Sequence, residues 1–250
     1  FFEARLALVA AAAADGRAWA PTADGPPEFY DFDLFLRRPS AESGDLLSTP
    51  LDELELVVFD SETTGLNPSE GDEIVSLGAV RVRRGRIAPG DTFHSLVKPS
   101  RPIPPESTRF HGIDDAMVEG APGLAEVLPQ FRAYAGSAVL VAHNAAFDKK
   151  FLDLAAERLG QPALDNPVLD TLFLSYGVHG DVQRHSLEAI AARLGVEVAG
   201  RHTSLGDARA TAEILLGLLP LLAARGVTTL ADAKAFCDKM LLFRWRTSRF

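Results

Sequence analysis

Val57-Val58-Phe59-Asp60-Ser61-Glu62-Thr63-Thr64-Gly65 is an apolar run that stops abruptly on two acids and a glycine turn. Counted from Leu54, the run to Glu62 has the length and β-branched content of a buried strand. Residues two apart on a strand share a face, so Asp60 and Glu62 can aim their carboxylates at a common point. A carboxylate at the end of a buried strand is costly to desolvate unless something positive meets it. The other reading of the pair is a solvated strand end, with Asp60 beginning a turn toward Gly65.

Working outward, Glu73 to Arg84 and Thr92 to Val97 read as two more strands, separated by glycine-containing turns such as Arg84-Gly85-Arg86. Three strands joined by short turns predict an antiparallel meander. The apolar period then lengthens: Leu124, Val127, Leu128, Phe131 and Tyr134 recur at helical spacing. Val139 to Ala142 follows as a short buried strand, and Phe147, Phe151, Leu152, Ala155 and Leu159 mark a helix that Gly160 stops. Pro167 to Leu169 opens a fifth strand, and helices are expected from Ser186 to Leu194 and from about Ser204 to Leu219. Strands first, then helices alternating with strands, predict an α/β domain with a mixed sheet.

Upstream, residues 1–50 read as an Ala-rich helix followed by a Pro/Gly-rich linker, and residues 223–250 as a separate tail, which leaves the folded domain at 51–222. Hydrophobic residues make up 47% of the 250 and charged residues 24%, which excludes a wholly disordered chain. Cys237 is the single cysteine, so a disulfide-stapled secreted scaffold has no support and a cytoplasmic setting is the default expectation. No apolar run approaches the ~20 residues of a membrane span, so no membrane partner is expected. The start at Phe1 rather than Met suggests a piece of a longer polypeptide. A net charge of −9 argues against tight non-specific duplex binding, which relies on Lys and Arg displacing counterions, but not against a site that grips a few nucleotides through metal ions. The tail from Thr228 carries five basic residues against two acidic ones, interleaved with Phe243, Trp245 and Phe250. It reads either as a nucleic-acid edge or as an amphipathic helix docked on the domain or on other parts of a longer chain.

Two further acids sit where the pattern predicts helix starts. Asp148 follows His143-Asn144-Ala145-Ala146-Phe147, with Asn144 a natural N-cap. Asp207 follows His202-Thr203-Ser204-Leu205-Gly206, where Ser204 and Asp207 have the spacing of a capping box. Such a cap leaves His202 unexplained; an exposed loop histidine is the plain alternative. Strand ends and helix starts flanking one sheet can converge, and four carboxylates with no Lys or Arg among them would repel. Divalent cations resolve that repulsion, and an all-oxygen donor set without Cys selects Mg²⁺ or Mn²⁺ over zinc. Two such ions can clamp the attacking and leaving oxygens of a phosphoryl displacement while a nearby His takes a proton from water.

The three segments Phe59 to Leu66, His143 to Asp148 and His202 to Asp207 resemble, in order and spacing, the three motifs of the DEDDh 3′-to-5′ exonucleases, the ribonuclease H-like group typified by proofreading epsilon subunits. The resemblance covers roughly Leu51 to Leu222. It implies a mixed five-stranded sheet with flanking helices, an enzyme that hydrolyses phosphodiester bonds at the 3′ end of DNA, two Mg²⁺ or Mn²⁺ ions on Asp60, Glu62, Asp148 and Asp207, and His202 as general base. Ser61 stands where the epsilon-like pattern more often has Thr, and its side chain should face away from the two acids. By the same resemblance Thr63, Thr64, Gly65 and Leu66 line the pocket for the terminal nucleotide, His111 lies near the substrate, and His143 and Asn144 orient Asp148 or touch the nucleotide. Asp170 also resembles a recurrent family position, with helix capping as its expected role. The competing readings are a 3′-to-5′ exoribonuclease on short RNA and a non-catalytic nucleic-acid-binding module. Asp31-Phe32-Asp33-Leu34-Phe35 loosely resembles a sliding-clamp-binding peptide without its Gln, which raises a clamp or polymerase contact as a partner.

Overall fold

In the computed structural model, which describes residues 44–180 and 185–247, the run ending in Asp60 and Glu62 is the centre of the sheet. Strand β1 (Glu55–Thr63) pairs antiparallel with β2 (Ile74–Arg83), which pairs antiparallel with β3 (Arg86–Leu96). On its other side β1 pairs in parallel with β4 (Val139–Ala142), and β4 with β5 (Val168–Asp170), giving the order β3-β2-β1-β4-β5. The mixed five-stranded sheet and its antiparallel first three strands are as the sequence predicts. The Ala-rich segment and residues 31–35 lie outside the described residues.

Helices α1 (Gly44–Leu47), α2 (Pro105–His111), α3 (Asp115–Val118), α4 (Leu124–Ala135), α5 (Ala145–Arg158), α6 (Thr171–His179), α7 (Leu187–Leu194), α8 (Ser204–Ala223) and α9 (Leu230–Thr247) surround it. Alternation along β1 divides its side chains between two cores. Leu56 and Val58 join the core under α8, α7, α6 and α9, and Val57 and Phe59 join the core under α4 and α5. In the second core Phe59 and Phe93 both meet the ring of Phe131, at centroid distances of 5.6 and 5.5 Å. Such tilted and edge-on aromatic pairs add to the burial they share. Asp60 and Glu62 have the parity of Val58, so they emerge on the α8 face.

The structure departs from the sequence reading in places with clear causes. Strand β3 begins at Arg86 rather than Thr92. It is the edge strand, half exposed, and Ala88-Pro89-Gly90-Asp91 lies opposite a register shift between Val80 and Val82. Part of the expected linker is ordered: α1 precedes Leu51, whose N–H donates to Thr228 O at 2.9 Å. Leu230, Ala233 and Cys237 of α9 are buried in the α8-side core, and Gly177 of α6 leaves room for Phe236. Of the two readings of the tail, this portion is a docked helix. Among the described residues no helix is long and apolar enough to cross a membrane.

Candidate active site

The antiparallel register sets Asp60 opposite Gly78 and Glu62 opposite Ser76. Gly78 has a specific purpose: a Cβ there would lie 2.3 Å from Leu205 N and 2.4 Å from Ser204 C, so only glycine lets the start of α8 rest directly on β2. The same contact is pinned by a hydrogen bond between the Ser76 and Ser204 hydroxyls at 2.7 Å. Docking α8 this way carries Asp207, one turn in, against the strand end. Carboxylate oxygens of Asp60, Glu62 and Asp207 lie within 4.8 Å of one another, and all three residues are buried.

The helix is not capped as its sequence suggests. Thr203 is the N-cap, its hydroxyl accepting from Gly206 N at 3.2 Å, while Ser204 is turned inward to Ser76. No Ser204–Asp207 capping box forms. Asp207 instead accepts from His202 N at 3.2 Å and pairs with Arg201, whose Nη1 lies 2.7 Å from Oδ1; Arg201 also pairs with Glu188 of α7. The acids therefore do have a cation beside them, contrary to the sequence expectation. Arg201 was visible next to His202, but its direction depends on the left-handed backbone at His202, φ 60°, which the sequence does not reveal.

Asp148 arrives from the other side of the sheet, at the start of α5. Its Oδ1 accepts from both Ser61 N, at 3.1 Å, and Ser61 Oγ, at 2.6 Å. Ser61 does point away from Asp60 and Glu62, as strand alternation requires, and for that reason it meets Asp148. The turn into α5 is capped from outside: Asn144 is left-handed, φ 64°, and makes no side-chain cap. Asp170 replaces it, accepting from Asn144 N and Ala145 N on one helix and from Leu172 N on the next. His143 is buried, with Nδ1 3.0 Å from Thr171 Oγ1.

His202 lies at the rim of the acidic cluster. The ring of Phe110 packs edge-on against it, centroids 4.6 Å apart, and its Nδ1 is buried without a hydrogen-bond partner. Burial and the neighbouring Arg201 hold its pKa below 6.5, with Asp207 opposing. His111, next to Phe110, is buried; its Nδ1 accepts from Ile113 N, and its Nε2 approaches Thr63 O at 3.3 Å. Burial lowers its pKa too. The Thr63–Leu66 loop runs alongside: the Thr63 hydroxyl donates to Gly65 O at 2.6 Å, Ser107 Oγ donates to Thr64 O at 2.7 Å, and Leu66 packs on the α4–α5 core. Phe110 and Ser107 have no marker in the sequence, since α2 is short and follows two prolines.

The donor set fits a divalent cation. Three hard carboxylates crowd within 4.8 Å in a buried site, where like charges disfavour one another and a divalent cation would relieve them.

The exonuclease family of the RNase T group matches residues 57–215, which contain every site residue described above. A DNA polymerase III subunit epsilon-like protein of Rhodobacter capsulatus is 54% identical over 202 residues, covering 80% of this chain and 28% of that protein. The chain thus spans less than a third of that relative's length. A structure of exonuclease X in complex with 5′-overhanging duplex DNA is 28% identical with a TM-score of 0.58, covering 72% of this chain and 99% of that one. The nuclease domain of 3′hExo, a DEDDh family member bound to rAMP, shares the fold at 21% identity and a TM-score of 0.60, over 69% of this chain and 94% of that one. The family match over residues 57–215, on a five-stranded mixed sheet that carries the acidic cluster, leads to one conclusion: the chain belongs to the RNase T exonuclease family.

Proposed function

We propose that this domain, residues 51–222, is a 3′-to-5′ exonuclease that removes mononucleotides from DNA in proofreading or repair. The observation that carries the reading is the buried Asp60, Glu62 and Asp207 cluster with His202 at its rim. Two Mg²⁺ or Mn²⁺ ions held by these acids and Asp148 would supply charge neutralisation for the scissile phosphate and the leaving oxygen.

The chain's own residues do the rest. Gly78 and the Ser76–Ser204 hydrogen bond fix Asp207 relative to β1, and Ser61 and Asp170 fix Asp148. Thr63, Thr64, Gly65 and Leu66 receive the terminal nucleotide, His111 braces that loop at Thr63 O, and His143 and Asn144 form the turn that presents Asp148. Neutral His202, held by Phe110, takes a proton from the attacking water on a ring nitrogen. The water oxygen bonds to phosphorus as the bond to the 3′ oxygen of the preceding nucleotide breaks. A nucleoside 5′-monophosphate leaves, and the 3′ oxygen of the shortened strand takes up a proton from solvent to become a new hydroxyl. The lowered His202 pKa keeps the imidazole in its proton-accepting form at neutral pH.

DNA as substrate and a polymerase partner accord with the epsilon-like relative, and a cytoplasmic setting and a sliding-clamp contact belong to the same proposal. Matched single-stranded DNA and RNA oligonucleotides, each with a free or blocked 3′ end, test the reading. Loss of label one nucleotide at a time from free DNA ends, abolished in Asp60→Asn, is the expected result. Faster digestion of RNA would move the substrate to the exoribonuclease alternative, and cleavage of blocked or circular strands would overturn the polarity.

A further inference from the structure

We infer that Asp72 is a positioning residue for the terminal-nucleotide subsite, a latch that sets the shape of the Thr63–Leu66 loop from behind. The inference rests on the assignment of that loop to the terminal nucleotide. The loop has few long side chains of its own, so its shape has to be imposed by neighbours. Asp72 Oδ1 accepts from Thr64 Oγ1 at 3.1 Å and Oδ2 from Asn67 N at 2.9 Å, one contact on each side of Gly65. Between those contacts the carboxylate lies against Gly65 itself: a Cβ at that position would sit 2.2 Å from Oδ2 and 2.5 Å from Cγ. The carboxylate therefore fills the space that any residue other than glycine would need.

The carboxylate is in turn held by a cation. Arg101 Nη1 is 2.9 Å from Oδ1, and the Asp72 side chain is only 13% exposed. The chain before Arg101 is anchored too, because Glu73 accepts from Ser100 N at 2.9 Å and from the Ser100 hydroxyl. Backbone hydrogen bonds complete a closed ring: Thr64 N donates to Glu73 O at 2.8 Å and Asp72 N to Asn67 O at 3.2 Å. Asp72 touches none of the acids in the cluster that would hold metal. Its loss should therefore loosen nucleotide binding while leaving the metal ligands in place.

Asp72→Asn is the discriminating change, because the amide must turn an N–H toward either Asn67 N–H or Arg101, both donors. Wild type and variant are compared by steady-state digestion of a short single-stranded DNA with a free 3′ end, and by calorimetric titration with Mn²⁺. The expected result is a KM raised about tenfold or more with kcat within about threefold, the pattern of lost binding rather than lost chemistry, and an unchanged Mn²⁺ affinity. An unchanged KM overturns the latch, and so does a KM rise accompanied by comparable losses of kcat and Mn²⁺ affinity, which marks general damage. Should Asp72→Asn fail to fold, the exposed Arg101→Ala carries the test: a KM rise of about threefold supports the latch, and none overturns it. If the wild type binds Mn²⁺ but leaves 3′ ends intact, the exonuclease reading is what has failed. The latch is then judged on thymidine monophosphate binding, where equal affinity in wild type and Asp72→Asn overturns it.

Discussion

Replacing Gly78 with Ala tests how closely catalysis depends on the seating of α8. The added methyl would lie 2.3 Å from Leu205 N and 2.4 Å from Ser204 C, both backbone atoms at a helix start, so no side-chain rotation relieves the clash. Reaching the 3.4 Å of ordinary contact requires the helix start to withdraw by about 1.1 Å. That movement stretches the 2.7 Å Ser76–Ser204 hydrogen bond and draws Asp207 and His202 away from Asp60 and Glu62 together. Overpacking of this kind costs ~1 to 3 kcal/mol of stability. A displacement of about 1 Å in a reacting geometry costs on the order of 10²-fold in rate. Thermal melting, kcat on single-stranded DNA and Mn²⁺ titration of Gly78→Ala should show a modest loss of stability and a large loss of turnover. Gly120→Ala, whose added Cβ meets nothing within 4 Å, is the matched control. A Gly78→Ala enzyme with turnover close to wild type would refute the proposition that the α8–β2 contact sets the site.

Three other outcomes follow from the same geometry. EDTA should abolish turnover, and Mn²⁺ at 100 times its dissociation constant should stabilise the fold by about 2.7 kcal/mol in melting experiments, since the metal binds only the assembled acids; no shift in melting would count against the cluster as a metal site. His202→Ala should keep most Mn²⁺ affinity while turnover falls ~10² to 10⁴-fold; because burial and Arg201 lower the wild-type imidazole pKa, the midpoint of the acidic limb of wild-type activity should lie below that of a free histidine, a limb that the variant lacks. Ser61→Ala removes the 2.6 Å hydroxyl contact to Asp148, a hydrogen bond to a charged group worth about 1.5 to 3 kcal/mol; turnover should fall at least tenfold, and Ser61→Thr, which keeps the hydroxyl, should restore most of it.

The residues legible in the sequence are those whose position follows from local period. Asp60 and Glu62 declared themselves because an apolar strand ended on them, and Val139–Ala142 because a short apolar run lay between helical patterns. Elements without such contrast were hidden. Thr171–His179 is buried nearly all round, at Thr171, Leu172, Phe173, Leu174, Ser175 and Val178, so it shows no amphipathic face to count. The first half of β3 is an exposed edge interrupted by Pro89 and Gly90. Contacts between distant segments were equally out of reach: Ser61 and Asp148 are 87 residues apart, and Ser76 and Ser204 are 128. The capping residues misled for a physical reason. Asn144 and Ser204 each have the right chemistry for a cap, but Asp170 reached the α5 start first and Ser76 claimed the Ser204 hydroxyl.

The acidic cluster is a destabilising element that the surrounding fold has to restrain. Three buried carboxylates within 4.8 Å repel in the low-dielectric interior, and the chain answers differently for each. Asp207 is met by Arg201 and by the His202 N–H, from residues just before its own helix. Asp60 and Glu62 are fixed in backbone by the middle strand of the sheet, where β2 pairs along nearly the whole length of β1 and β4 supports its first half. Asp148, spared the crowding within the triad, is secured by two donors from Ser61. Backbone pairing and the hydrogen bonds to Asp207 and Asp148 therefore hold the acids in place against their repulsion. A fold that neutralised all the acids internally would be more stable without metal and would bind it less well. Arg201 beside Asp207 offsets part of the repulsion, and a bound cation would offset more of it, which couples metal binding to stability.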